Sequence, residues 1–291
     1  MKKRWLILCL IVLLFPVICL ANSHGPQRVV KKGILLVAFG SSLPEAQVSF
    51  ENIDKRVKIG FPDIPIHWAY TSSIIRKKLA KQGKHLDSVA IALSKMMDQG
   101  FTHVAVQSLH TIRGAEFNDL IHIANAFQGM PGGIQKIIVG SPLLSSPMDM
   151  DNVVDAILNN IPSDRKKTDA VVLMGHGTHH PSNAFYAALM FNLQRKDPNV
   201  FVGTVEGSPL IDDIIGMLRE KKIKKIILMP FMSVAGDHAR NDMAGEEPDS
   251  WKSILEKEGF KCEIVMKGTA EYDNMIDIWM GHLNDAMKHF Q

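Results

Sequence analysis

The sequence predicts an α/β protein built as two similar doubly wound halves, each with a parallel sheet of about four strands flanked by helices. Three observations lead there. Short apolar runs of strand length alternate with segments whose apolar residues recur at helical spacing. The runs are apolar throughout, as in parallel strands covered on both faces. The chain also repeats itself: GILLVAFGSS from Gly33 matches DAVVLMGHGT from Asp169 at an offset of 136, and VAVQSLHTIRGAE from Val104 matches IILMPFMSVAGDH from Ile226 at an offset of 122.

The first segment stands apart. Lys2, Lys3 and Arg4 precede the apolar stretch Trp5 to Leu20, and Cys19-Leu20-Ala21 has a small-x-small pattern. Residues 1–21 therefore read as a signal peptide and predict an exported protein, periplasmic where the source has two membranes. The stretch is short for a span of ~20 residues and Pro16 interrupts it, so no stable membrane span is expected after cleavage. Ile18 before Cys19 is bulky for lipoprotein processing.

Residues 28–146 form the predicted N-terminal half. Its strand-like runs are Gly33–Phe39, Ile66–Ala69, Val104–Ser108 and Lys136–Val139, with helical spacing over Leu86–Met97 and Glu116–Phe127. Residues 147–291 form the predicted C-terminal half. Its runs are Ala170–Met174, Val200–Thr204, Lys225–Met229 and Cys262–Met266, with helical spacing over Ile211–Leu218. The last helix is expected to pack back on the N-terminal half. Ser146-Pro147 and Ser208-Pro209 each place a capping serine before a proline suited to a first helical position, and Ser42-Leu43-Pro44 is a looser version.

Charge excludes one class of partner. The chain has 33 Lys and Arg against 30 Asp and Glu, but residues 1–21 hold three bases and no acid, so the remainder is balanced. No nucleic-acid partner held by a strong positive field is expected. Cys9 and Cys19 leave with the signal, and Cys262 alone cannot form an intrachain disulfide. A homo-oligomer is the expected assembly.

In open parallel sheets the ligand crevice lies beyond the carboxyl ends of the strands. In the second half those ends carry His176, Glu206 and His238, aligned by the repeat with Gly40, Tyr70 and Glu116. Two imidazoles and a carboxylate at one rim would suit a divalent metal. They would equally serve as bases. His179 and His180 read as capping or rim residues. Gly175-His176-Gly177 starts like a dinucleotide fingerprint, but His180 stands where the third glycine belongs. Met217, Met229 and Met232 read as core filling.

GHGTHHP from Gly175, VEGSP from Val205 and above all SVAGDHARNDMAGEEPDSW from Ser233 resemble the anaerobic cobalt chelatases, and SLHTIRGAEF from Ser108 is similar to the matching first-half segment. That family inserts Co²⁺ into sirohydrochlorin on the route to cobalamin and shares the class II chelatase fold with ferrochelatases. The resemblance covers essentially the whole chain after the signal. It implies that His176, Glu206 and His238 hold the metal or act at its insertion, with Co²⁺, or else Fe²⁺ or another divalent ion, as substrate. Sirohydrochlorin is a large polycarboxylate. Ser41, Ser42, Tyr70 and Ser208, near helix starts and strand ends, are candidates to meet it. Arg113 and Arg240 are candidate rim cations, and His110 and Glu116 candidates to face the crevice from the first half. His122 is a candidate haem ligand at a surface or subunit contact, or else an ordinary helix histidine; His67 and His103 have no assigned role. The export signal departs from the cytoplasmic setting of cobalamin synthesis. It keeps open a periplasmic metal-binding or delivery protein, or a chelatase handling iron and a haem-related macrocycle.

Overall fold

Four parallel strands build each of two sheets in the computed structural model, which describes residues 28–290. The first sheet holds β1 (Lys32–Ala38), β2 (Ile66–Tyr70), β3 (His103–Ser108) and β4 (Lys136–Gly140), in the order β2-β1-β3-β4. The second holds β5 (Ala170–Gly175), β6 (Val200–Thr204), β7 (Lys225–Pro230) and β8 (Lys261–Ile264), in the same order, β6-β5-β7-β8. The expected fold class is therefore present in both halves. The predicted signal segment lies outside the described residues. No helix among the described residues is long and apolar enough to cross a membrane.

Helices cover both faces of each sheet. On the outer face of the first sheet lie α3 (Val89–Asp98) and α4 (Ala115–Phe127); on that of the second lie α7 (Ile211–Glu220) and α8 (Trp251–Lys257). Between the sheets run α1 (Gln47–Gly60), α5 (Pro147–Asn160), α6 (Ala184–Lys196) and α9 (Asp273–Lys288). A short α2 (Ser73–Ala80) follows β2. One buried apolar cluster takes in β1, β5 and the four inner helices, so the halves share a core. Helix α9 lies against β3 and β4 of the first sheet.

Helix starts follow local chemistry. Ser146 Oγ accepts the Asp149 N–H at 3.1 Å, with Pro147 at the first helical position, as expected. Ser72 and Ser88 cap α2 and α3 in the same way. Ser208-Pro209 does not. This bond is cis, and α7 starts later, at Ile211, where Asp213 Oδ2 accepts the Leu210 N–H at 2.9 Å.

Strand pairing also corrects the register of the repeat. In β1 the residues facing the shared core are Ile34, Leu36 and Ala38; in β5 they are Val171 and Leu173. Ile34 pairs with Ile66 and Ala105, and Val171 with Val200 and Ile227. Matching faces thus align Ile34 with Val171 and Ile66 with Val200, while the offset of 122 holds for β3 and β7. A one-residue slip exchanges the two faces of a strand, so the expected pairing of His176 with Gly40 is wrong. Gly40 matches Gly177, both with positive φ (108° and 79°), and His176 matches Phe39. Likewise Tyr70 matches Thr204, not Glu206.

Candidate functional site

In each sheet the order of connection reverses between the first and third strands, which opens a crevice beyond their carboxyl ends. The two crevices merge into one cleft of about 370 Å³. Its walls come from the loops after β1 and β3 in one half, those after β5 and β7 in the other, and the start of α2.

His176 follows β5, half-buried, and its loop is tightly made. Glu206 N–H donates to the His176 carbonyl at 2.7 Å, which draws the next strand's loop against Gly177. A Cβ on Gly177 would lie 2.0 Å from the Glu206 carbonyl oxygen, so only glycine fits. His176 Nδ1 lies 3.0 Å from the Gly177 carbonyl. A carbonyl only accepts, so Nδ1 carries the hydrogen and Nε2 keeps a lone pair.

His238 sits after β7, where a helical turn widens into a π turn over Ala239–Met243. Four residues on, Asp242 Oδ2 accepts from His238 Nδ1 at 2.5 Å. That again leaves Nε2 free in the neutral ring. The two imidazoles stand edge to face, ring centres 4.7 Å apart and planes at 89°. Imidazole nitrogens sit about 2.1 Å from a borderline ion, which puts ring centres roughly 3 Å from it. Ring centres 4.7 Å apart lie within the spacing of two imidazoles on one ion. Phe39, from the other half, lies 6.3 Å from the His176 ring. Tyr186 of α6 is buried in the same wall, and burial pushes its phenol up to about 12.

His110, past the end of β3, is a third imidazole of the cleft with a different setting. Its Nδ1 meets Ser108 Oγ at 2.9 Å and its Nε2 meets Thr71 Oγ1 at 3.4 Å. Burial pushes its pKa down to about 4, against the pull of the Glu116 carboxylate. It is a neutral wall residue at neutral pH. Ser41, Ser42 and Glu116 line the cleft as expected; so does Met232, read from sequence as core filling.

Other expected residues are placed elsewhere. Glu206 is tied to His176 through its backbone, but its side chain is exposed and does not line the cleft. Among the described residues no group of three or more His, Cys, Asp or Glu side chains is arranged to hold an ion. Of the expected set of His176, Glu206 and His238, the structure brings the two imidazoles together in the cleft and leaves the Glu206 side chain outside its lining. Tyr70 belongs to the core edge: it stacks on Trp68 with centres 6.0 Å apart and meets the Phe50 ring edge-on. Burial, then the nearby Asp54, raise its phenol to about 12. Ser208 is exposed, and its carbonyl accepts from Asn183 Nδ2 at 2.7 Å. Arg113 reaches Ser141 Oγ at 3.0 Å and lies over the Phe117 ring. Arg240 is outside the lining, its Nε buried without a partner among the described residues. His179 is exposed, and His180 Nδ1 accepts the Ser182 N–H at 3.1 Å, the expected capping role. His122 is exposed on α4 and does not line the cleft.

Sequence reasoning missed Asp242, Phe39 and Tyr186. The i,i+4 spacing of His238 and Asp242 is a signal that could have found the first. Phe39 was hidden by the register slip.

The family whose model matches the chain is described as cobalt chelatase (CbiK), over residues 32–288. The chain is 46% identical over 269 residues to a protein of Nitratidesulfovibrio vulgaris (strain Hildenborough) named sirohydrochlorin cobaltochelatase CbiKC, covering 91% of this chain and 95% of that one. It is 34% identical over 259 residues to the sirohydrochlorin cobaltochelatase of Salmonella typhimurium, covering 88% and 97%. Among solved structures it is similar in fold to the sirohydrochlorin chelatase SirB of Bacillus subtilis subspecies spizizenii in complex with cobalt. There the TM-score is 0.60 at 16% identity, over 89% of this chain and 96% of that one.

Proposed function

The chain belongs to the cobalt chelatase family, and from that premise we propose that it inserts Co²⁺ into sirohydrochlorin, with His176 and His238 as the working pair. The observation that carries this reading is the pair itself: two imidazoles 4.7 Å apart in one cleft, each with Nδ1 tied and Nε2 free.

Insertion sets three demands. The ion must shed water, two pyrrolic N–H protons must leave, and the protein must let the ion go. A bare Nε2 can ligate an ion or accept a proton, but not both at once. The pair holds Co²⁺ first. As macrocycle nitrogens replace the imidazoles, the freed Nε2 atoms take the two protons. One divalent ion enters and two protons leave, so charge balances. Two imidazoles make an open site, which suits an ion that must depart better than a closed cage does. Glu206, anchored beside His176, joins the ligand set when its exposed side chain turns inward.

The walls fit a large polycarboxylate. Phe39, Ile75 and Leu109 give the macrocycle an apolar face, and Ser41 and Ser42 give its carboxylates hydroxyl donors. Arg113, between the lining residues Ile112 and Gly114, and Arg240, two residues past His238, are the rim cations of this reading. Fe²⁺, Ni²⁺, Cu²⁺ and Zn²⁺ compete for any imidazole site. Export to the periplasm, driven by residues 1–21, and assembly as a homo-oligomer complete the reading; fractionation and sedimentation test these two.

The direct test mixes the protein lacking residues 1–21 with sirohydrochlorin and Co²⁺ or Fe²⁺ and follows the absorption spectrum. His176→Ala and His238→Ala should each lower kcat/KM at least ~100-fold, about 2.7 kcal/mol of transition-state stabilisation. Glu206→Ala should cost less. A His238→Ala protein inserting cobalt at the wild-type rate would overturn the assignment. No acceleration by the wild type over the metal-only control, with either ion, would favour metal delivery instead.

A further inference from the structure

We propose that Asp242 is a positioning residue that fixes the ring orientation and tautomer of His238, so that its Nε2 lone pair is presented to the cleft. The inference deepens the function proposed above and rests on it for its consequences in rate, but not for the tautomer itself.

The argument starts from what each partner can do. A carboxylate oxygen only accepts, so the bond between Asp242 Oδ2 and His238 Nδ1 requires Nδ1–H. Left alone in water, a neutral imidazole favours the opposite tautomer, with the hydrogen on Nε2 and no lone pair there to give. His176 meets the same need with the Gly177 carbonyl, a backbone group. His238 meets it with a side chain, and so depends on one residue.

The local fold holds that residue in place. Ala239 and Met243, both fully buried, anchor the π turn in the core of the second half. Gly245 closes the turn against the Asn241 carbonyl, where a Cβ would lie 2.4 Å away. Asp242 thereby projects on the same side as His238, one turn on. Among the described residues its one side-chain partner is His238. It has no lysine or arginine to serve, so a surface ion pair does not account for it.

The test uses the chain without residues 1–21, its histidines labelled with ¹⁵N, at a pH where the imidazoles are neutral. NMR reads the His238 tautomer directly, and insertion kinetics are followed in parallel. Wild type should show Nδ1–H. Asp242→Ala should move His238 toward Nε2–H and lower kcat/KM about 10–100-fold, the range seen when such carboxylate partners are removed. Asp242→Asn should recover most of the rate and the Nδ1–H signal, because its amide oxygen accepts the same bond. Asp242→Ser, too short to reach Nδ1 but able to support the turn, should behave as Asp242→Ala and keeps the test open if the alanine variant does not fold.

Two results would overturn the proposal: an unchanged tautomer in the alanine or serine variant, or an asparagine variant as poor as alanine, which would make Asp242 an electrostatic lure for the cation. A wild type with the Nδ1–H tautomer but no insertion would sink the chelatase reading and leave the positioning role standing.

Discussion

His110 and His238 are half-buried imidazoles of one cleft, yet their partners set them different tasks. His238 has a carboxylate behind it; His110 has two hydroxyls and a drier wall. Burial drives the His110 pKa down to about 4 from its ordinary value, with Glu116 opposing. The folded value is the lower one, so folding favours the neutral ring. Its stability contribution is full above about pH 6.5 and is lost as pH falls toward 4. An NMR titration should place the His110 midpoint near 4. A midpoint at 6 or above would show a wetter ring and make His110 available as a base. At this scale the sequence was informative about residue type and weak about direction. His176 and His238 were legible because histidines at strand ends are chemically loaded. That Glu206 points outward was not, because its direction follows from the backbone contact at Gly177, a tertiary fact.

At the scale of the element, strands were legible nearly to their ends, because continuous apolar runs have few other readings in a chain that alternates with helices. Register was not. Two apolar strands align about equally well at neighbouring offsets, and only the pattern of inward faces separates them. The glycines carried the missing signal: Gly40 and Gly177 share a left-handed conformation. Gly177→Ala should therefore be costly, since φ is 79° and the new Cβ meets backbone, which cannot swing away. We expect a loss of roughly 2–4 kcal/mol in urea unfolding, from conformational strain plus displacement of the β6 loop. Insertion activity should fall with it, as His176 moves. Gly216→Ala in α7 is the control. Its Cβ meets nothing within 4 Å, so helix propensity should raise stability by up to about 1 kcal/mol. Equal effects at the two glycines would contradict the close approach at Gly177.

For the whole molecule, an internal repeat shows two halves but says nothing about whether each keeps its own core. Here they do not. The inner faces of β1 and β5 lie in one buried cluster with the four inner helices, and α9 returns from the second half to the first sheet. The sequence boundary at residues 146 and 147 is thus a boundary of chain and not of packing. The cleft depends on this union, because His176 and His238 come from one half while Phe39 and His110 come from the other. Trp279 of α9 lies in the shared core, 2% exposed, with its Nε1 buried and unpaired among the described residues. Trp279→Ala should cost about 3–5 kcal/mol. Trp279→Phe should cost much less, because it keeps most of the apolar contact and removes a donor left without an acceptor. In both variants unfolding should stay a single transition, with far-UV circular dichroism and a fluorophore at the cleft giving coincident curves. Separate transitions for the two probes would show that the halves fold independently. The shared core would then be a contact between finished domains, and the spacing of the cleft walls would be free to vary with it.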